Sequence, residues 1–103
     1  MKGLITLNDK EMEFTCNGWT PFLFKEQFGE DIFKGISAMK NGDLDVVFIS
    51  RLAWVMRKQS DETTPPLKEW LEDFDMMEIL SKGNEIIALW AKSVKTNSKS
   101  KKK

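Results

Sequence analysis

Histidine and tyrosine are both absent from this chain of 103 residues, and cysteine occurs once. Losing histidine removes the commonest general base and the commonest transition-metal ligand together. Cys16 has no histidine to make it a catalytic thiolate and no second cysteine for an internal disulfide, which fits a reducing compartment. Its position in an alternating run predicts a buried strand residue. Ser37 and Ser50 stand at no spacing that recommends a lysine-activated nucleophile, and catalysis needs a nucleophile, a base and an orienter together. The six glycines never approach GxGxxG or a P-loop. Glu11/Glu13, Asp43/Asp45 and Asp73/Asp75 are paired carboxylates that read as solvated surface or partners of helix dipoles. No calcium loop runs through Asp43 and Asp45, because Val46, Val47 and Phe48 follow where oxygen ligands would stand. The expectation is a protein that is not an enzyme, with no cofactor and no metal. No apolar run nears the roughly 20 residues that cross a bilayer, and MKGLITLND turns polar quickly, so neither a membrane span nor a signal peptide is expected. A soluble, cytoplasmic protein follows from that reading.

The formal charge of zero hides a division. Lys92, Lys95, Lys99, Lys101, Lys102 and Lys103 carry the end of the chain without one acid, leaving 10 bases against 16 acids in the first 91 residues. Acids concentrate again between Asp61 and Glu78, where Asp61, Glu62, Glu69, Glu72, Asp73, Asp75 and Glu78 face Lys68 alone. Such a surface repels phosphates. The lysine tail has no aromatic residue to stack on bases and no arginine to read them, so nucleic acid is an unlikely partner. The length suits one domain, residues 1–91, followed by a disordered tail, 92–103.

The fold class expected is α+β, predominantly α: a short N-terminal β-hairpin and then about five helices. Leu4–Leu7 and Met12–Cys16 read as strands around the polar turn Asn8, Asp9, Lys10. Met12, Phe14 and Cys16 alternate with Glu11, Glu13 and Thr15, giving one apolar and one wet face. A lone hairpin is marginal in water, so this one must lie on the helices or pair with a hairpin of another copy. Thr20-Pro21 reads as an N-cap and first helical residue, and Gly29 as the stop. A second helix has Glu30 and Asp31 at its start and Ile32, Phe33, Ile36 and Met39 as apolar residues, and Asn41-Gly42 closes it. After the long helix from Asp43 to Lys58, QSDETTPP is a polar loop. Pro66 opens a short helix with Leu67, Trp70, Leu71 and Phe74, and a last helix runs from Met76 to Lys92. Gly83 falls on the apolar side of that helix together with Met76, Ile79, Leu80, Ile86, Ile87 and Trp90. Glycine there costs about 1 kcal/mol in propensity, so a close crossing is expected.

Between Asp43 and Ala91 the chain carries more apolar helical surface than a small domain needs, which suggests a binding protein. In DLDVVFISRLAWVMRK the residues Leu44, Phe48, Ile49, Leu52, Ala53, Val55 and Met56 form a broad core-facing arc, with Ser50, Arg51, Arg57 and Lys58 opposite. Val47 and Trp54, seven residues apart, lie within the polar side. Two readings follow. The helix is central, packed between layers with arginine stems over apolar neighbours, or Val47 and Trp54 form a docking spot for a partner or second subunit.

The order of segments resembles the small tail assembly chaperones of long-tailed bacteriophages and prophages. The residues that carry the likeness are GLITLNDKEMEFTCNG, then TPFLFKEQFGEDIFKGI with Phe28, Gly29, Asp31 and Ile32 at its turn. The helix containing LAWVM, the Pro-bearing loop, LKEWLEDFDMMEIL and IIALW complete it, over roughly residues 3–91. The resemblance implies a chaperone that coats the helix-rich tape measure protein, helps recruit tail tube subunits, and works in the bacterial host cytoplasm as a homo-oligomer. Met-rich and Phe-rich surfaces suit that task, because they re-pack against varied partners. Val47, Trp54, Trp70 and Leu89, with Phe22 and Phe24, are the expected partner-binding residues; Leu89 is included because it breaks the polar side of its helix. Such families often add a longer, frameshifted form of the same protein, and Lys101–Lys103 is what consecutive slippery AAA codons would encode. The alternatives are a small nucleic-acid-associated regulator using the basic tail, and a structural tail component retained in the virion.

Overall fold

Alternation in the first 16 residues and helical periodicity afterwards decide the architecture, which among the described residues is an antiparallel hairpin followed by six helices. The computed structural model describes the backbone of residues 1–39 and 44–101 and the side chains of residues 1–39 and 44–94. The expected stop at Asn41-Gly42 and the expected cap at Asp43 lie outside the described residues. The strands are β1, Lys2–Leu7, and β2, Lys10–Thr15. The helices are α1, Thr20–Phe28; α2, Ile32–Ala38; α3, Val46–Ser60; α4, Leu67–Leu71; α5, Met76–Ser81; and α6, Gly83–Lys101. Among the described residues no helix is long and apolar enough to cross a membrane.

Asn8 and Asp9 both take positive φ, 52° and 65°, the signature of a two-residue I′ hairpin turn whose twist matches the strands. The register pairs Leu7 with Lys10, Ile5 with Met12 and Gly3 with Phe14. It extends one pair further, because the Cys16 N–H donates to the Met1 carbonyl at 2.8 Å and the Met1 ammonium donates to the Cys16 carbonyl at 3.0 Å. Ile5, Leu7 and Phe14 are buried on the face turned to the helices. The supposed wet face is partly covered as well: Thr15 is buried, and its hydroxyl shares a 2.6 Å hydrogen bond with that of Ser60.

α3 is the element around which the others pack. It contacts β2, α1, α4, α5 and α6. Phe48, Ile49, Ser50, Leu52, Ala53, Trp54, Val55 and Met56 are all buried, which is what a helix surrounded on every side requires. Its N-cap is Asp45, whose carboxylate accepts from Val47 N–H and Phe48 N–H. Leu44 therefore precedes the helix and is exposed instead of joining the core arc. The basic residues of α3 fasten neighbours down. Arg57 donates to the Glu13 carbonyl at 2.8 Å and pairs with Asp61, Lys58 donates to the carbonyls of Glu62 and Thr64, and Arg51 reaches Glu30 at 2.7 Å across the Phe28 ring. Hydrogen bonds from the Thr63 hydroxyl and N–H hold the Asp61 carboxyl below the usual carboxylate range, with Arg57 and Lys58 adding to the effect.

Three local expectations shift. Thr20 lies inside the first turn of α1 and Trp19 takes the cap position, because the buried Thr20 hydroxyl accepts from Asn17 N–H and donates to Gln59 Oε1. The expected last helix is two, α5 and α6, divided at Lys82, where the chain crosses α3: a Cβ at Gly83 would come within 3.0 Å of Ile49 Cδ1. The two helices are out of phase, and Met76, expected on the apolar side, is exposed. Beyond Ser93 the sequence predicts disorder, whereas the backbone is helical to Lys101. Lysine is a good helix former, and adding residues to an established helix avoids the cost of a new nucleus.

Gly35 in α2 supports the Phe48 ring, and a Cβ there would overlap that ring. Gly35→Ala is expected to destabilise the fold by up to about 2 kcal/mol, the roughly 1–3 kcal/mol cost of overpacking less the roughly 1 kcal/mol gain in helix propensity. Urea unfolding followed by Trp fluorescence measures the difference.

Candidate functional site

Two surfaces stand out, a groove of mixed polar and apolar lining where α1, α2 and the start of α3 meet solvent, and an apolar patch at the N-terminal end of α1, beside Gln59 near the end of α3. The first is an open groove of about 590 Å³ between these helices. Gly35 and Phe48 lie among its walls, Val47 stands among them with 54% of its surface exposed, and Lys25, Lys34 and the Arg51–Glu30 pair give it a charged rim. The groove exists because Asp31 caps α2, accepting from Phe33 N–H at 2.8 Å, and Gly29 stops α1 in a left-handed conformation at φ 69°. The chain is thereby turned sharply between two short helices that cannot close over the N-terminal end of α3.

The second surface is an aromatic pair. Trp19 and Phe22 stack with centroids 5.8 Å apart, and Phe22 is 66% exposed. Asn17 positions the pair, its side-chain oxygen accepting from Trp19 N–H and from Gln59 Nε2. Phe33 on α2 and Met76 and Met77 on α5 are further exposed apolar residues. The polar-loop composition around Asn17 and Gly18 hides Trp19 from any periodicity argument, so sequence reasoning passed over it; its spacing of three from Phe22 at a helix start is the signal that was present.

Of the six residues expected to bind partners, Val47 and Phe22 are on the surface and the other four are not. Trp54 is 5% exposed, set edge-on against Phe28, with its indole N–H donating to the Pro65 carbonyl at 2.8 Å. That settles the two readings of α3 in favour of the central helix, since a Trp so enclosed offers no face to a partner. Trp70 is buried against Phe74, and Phe24 is enclosed between Phe28 and Phe48. Leu89 is buried because β1 lies across α6: a Cβ at Gly3 would come within 3.1 Å of Leu89 Cδ1. Polar neighbours in the helical projection of α6 do not imply solvent when a hairpin covers that side.

Cys16 carries no reactive thiol. Burial pushes its pKa up, opposed by hydrogen bonds involving Thr20 and Ser93 and by the N-terminal ammonium. A thiol whose pKa is raised on folding contributes stability below its ordinary value of 9.0 and loses that contribution as pH rises through the raised one. The urea midpoint of the natural chain should therefore fall, relative to that of Cys16→Ala, as pH is raised above 9.0, and iodoacetamide should label the folded chain far more slowly than the unfolded one.

Trp54 separates packing from binding. Trp54→Ala is expected to cost about 3–5 kcal/mol of stability, and Trp54→Phe about 1 kcal/mol through loss of the bond to Pro65, both read from urea unfolding. No protein-family model matches this chain, and no curated protein or solved structure matches it.

Proposed function

We propose that this chain is a non-enzymatic tail assembly chaperone of a long-tailed bacteriophage or prophage. In that reading it holds the tape measure protein in solution and helps recruit tail tube subunits around it, in the cytoplasm of the bacterial host. One observation supports the reading most: apolar side chains as large as Trp19, Phe22, Phe33, Val47, Met76 and Met77 stay exposed. An exposed apolar residue taken singly is ordinary. A stacked Trp–Phe pair, a walled groove and a methionine pair on one small domain are what a protein offers to a long client that presents many similar apolar helix faces. The groove offers Val47 and Phe48 to an apolar side chain of the client, and its charged lining of both signs accepts flanking polar residues.

A holding role also suits the chemistry of the surface. Binding through modest apolar patches is reversible, and a chaperone must leave as tail tube subunits arrive. A structural component retained in the particle would instead be found by mass spectrometry of purified virions.

Co-expression with the long coiled-coil tape measure protein is the direct test. The client should become soluble and co-elute with this chain, and the double variant Trp19→Ser/Phe22→Ser or the single variant Val47→Asp should lower co-purified client about fivefold or more, as loss of an aromatic anchor does. Those positions are exposed, so urea stability should stay within about 0.5 kcal/mol of the natural chain. A client that remains insoluble, with no complex formed, overturns the reading.

A further inference from the structure

The hairpin has two edges, and the fold covers one. In an antiparallel ladder, hydrogen-bonded pairs alternate with pairs whose N–H and C=O groups point outward. The mutual bonds between Met1 and Cys16 identify the odd residues of β1 as the inward set. Lys2, Leu4 and Thr6 therefore turn their backbone groups away from β2, and Glu11, Glu13 and Thr15 do so on the far side. There Arg57 occupies the Glu13 carbonyl and Ser60 engages the Thr15 side chain, so α3 guards that edge. The β1 edge has no such cover: Lys2, Leu4 and Thr6 are exposed, and among the described residues no hydrogen bond is made to their outward backbone groups. No proline or bulge blunts it. At its centre Leu4, an apolar residue, is 60% exposed.

The hairpin is also rigid enough to template a partner strand. At its tip Asn8 N–H donates to Glu78 Oε2 at 2.9 Å and Asn8 Nδ2 donates to the Asp73 carbonyl at 2.7 Å. At its base Ser93 Oγ donates to the Cys16 carbonyl at 3.3 Å. Beside the open edge runs a groove of about 260 Å³ whose helical wall is Glu85, Ala88, Leu89 and Lys92 of α6.

We infer that β1 pairs antiparallel with β1 of a second copy about a two-fold axis at Leu4, joining two hairpins into one four-stranded sheet. Two independent elements read the same axis. On the strand, an axis at Leu4 sets Lys2 opposite Thr6 of the second copy, so no like charges face each other, and the next strand places Glu11 of that copy within reach of the Lys2 side chain. On the helix, Ala88 lines the groove together with Leu4. Antiparallel approach of two α6 helices at Ala88 brings Glu85 of one, which pairs with Lys82 of its own chain, next to Lys92 of the other, with a small residue at the closest point. A second copy thus satisfies the edge, covers Leu4 with Leu4 and pairs opposite charges. This pairing does not depend on the chaperone reading, and either can fail alone.

The test is sedimentation equilibrium of the full chain with cysteine cross-linking. The natural chain is expected to be a dimer at micromolar concentration. The two Leu4 residues form a hydrogen-bonded pair with Cα atoms about 5.5 Å apart, inside the disulfide range. Leu4→Cys should therefore give a disulfide-linked dimer under mild oxidation, and Thr6→Cys alone should not. An equimolar mixture of Lys2→Cys and Thr6→Cys should cross-link, which fixes the register. Leu4→Pro is tolerated by a strand whose N–H at that position points outward; it and Leu4→Lys should raise the dimer dissociation constant at least tenfold. Glu85→Lys should weaken the dimer, and adding Lys92→Glu should restore it. A natural chain that is monomeric at these concentrations overturns the inference, including one that takes up an extended client segment on this edge. So does a dimer insensitive to Leu4→Lys whose Leu4→Cys form cross-links no faster than Thr6→Cys.

Discussion

Enclosure of the middle of α3 is the constraint from which the rest of this structure follows. A helix with Phe48, Ile49, Leu52, Ala53, Trp54, Val55 and Met56 all buried has no wet stripe, so something must cover each of its faces. At roughly 1.5–3 kcal/mol for each large side chain fully buried, these residues dominate the favourable side of the folding balance. A sheet of two strands, stable only as part of a larger core, packs on this helix together with α1, α4, α5 and α6. Even the cations of α3 serve closure, since Arg57 and Lys58 spend their donors on carbonyls of β2 and of the following loop.

With so much apolar surface committed to one helix, the residues left outside it gain meaning. Trp19 and Phe22 stack on each other at the surface, and Val47 lies in the wall of a groove, where α1, α2 and the first turn of α3 diverge. The hairpin shows the same division between what the fold uses and what it leaves. Its tip, its base and its β2 edge are fastened by Asn8, Ser93 and Arg57, and its β1 edge is left as a row of unused backbone groups. The exposed apolar surfaces of this molecule are thus remainders of packing.

Much of the fold was legible because local chemistry acts over a few residues. Alternation around Asn8-Asp9 marked the hairpin, Gly29 marked the end of α1, Pro66 the start of α4, and Gly83 a close crossing, each for a reason confined to its own neighbourhood. Which of the residues expected to bind partners reach the surface was far less legible. Val47 and Trp54 share an angular position on α3, and only their neighbours along the axis differ: Val47 opens to solvent at the first turn, and Trp54 is roofed by Pro65 and Phe28 two turns on. Leu89 looked stranded among polar residues until β1 was laid across α6.

The sequence by itself determined that this is a hairpin followed by helices and that the long helix carries apolar residues on both of its sides. It also excluded histidine-based chemistry. Those properties depend on residue identity and on periods of two and 3.6, which a linear reading contains. Tertiary structure alone decided which apolar residues were consumed and which were left over, because burial depends on what lies opposite a residue in space. The same limit explains the hairpin: one edge meets α3 and the other meets water, and no feature of the strands distinguishes them until the helices are in place.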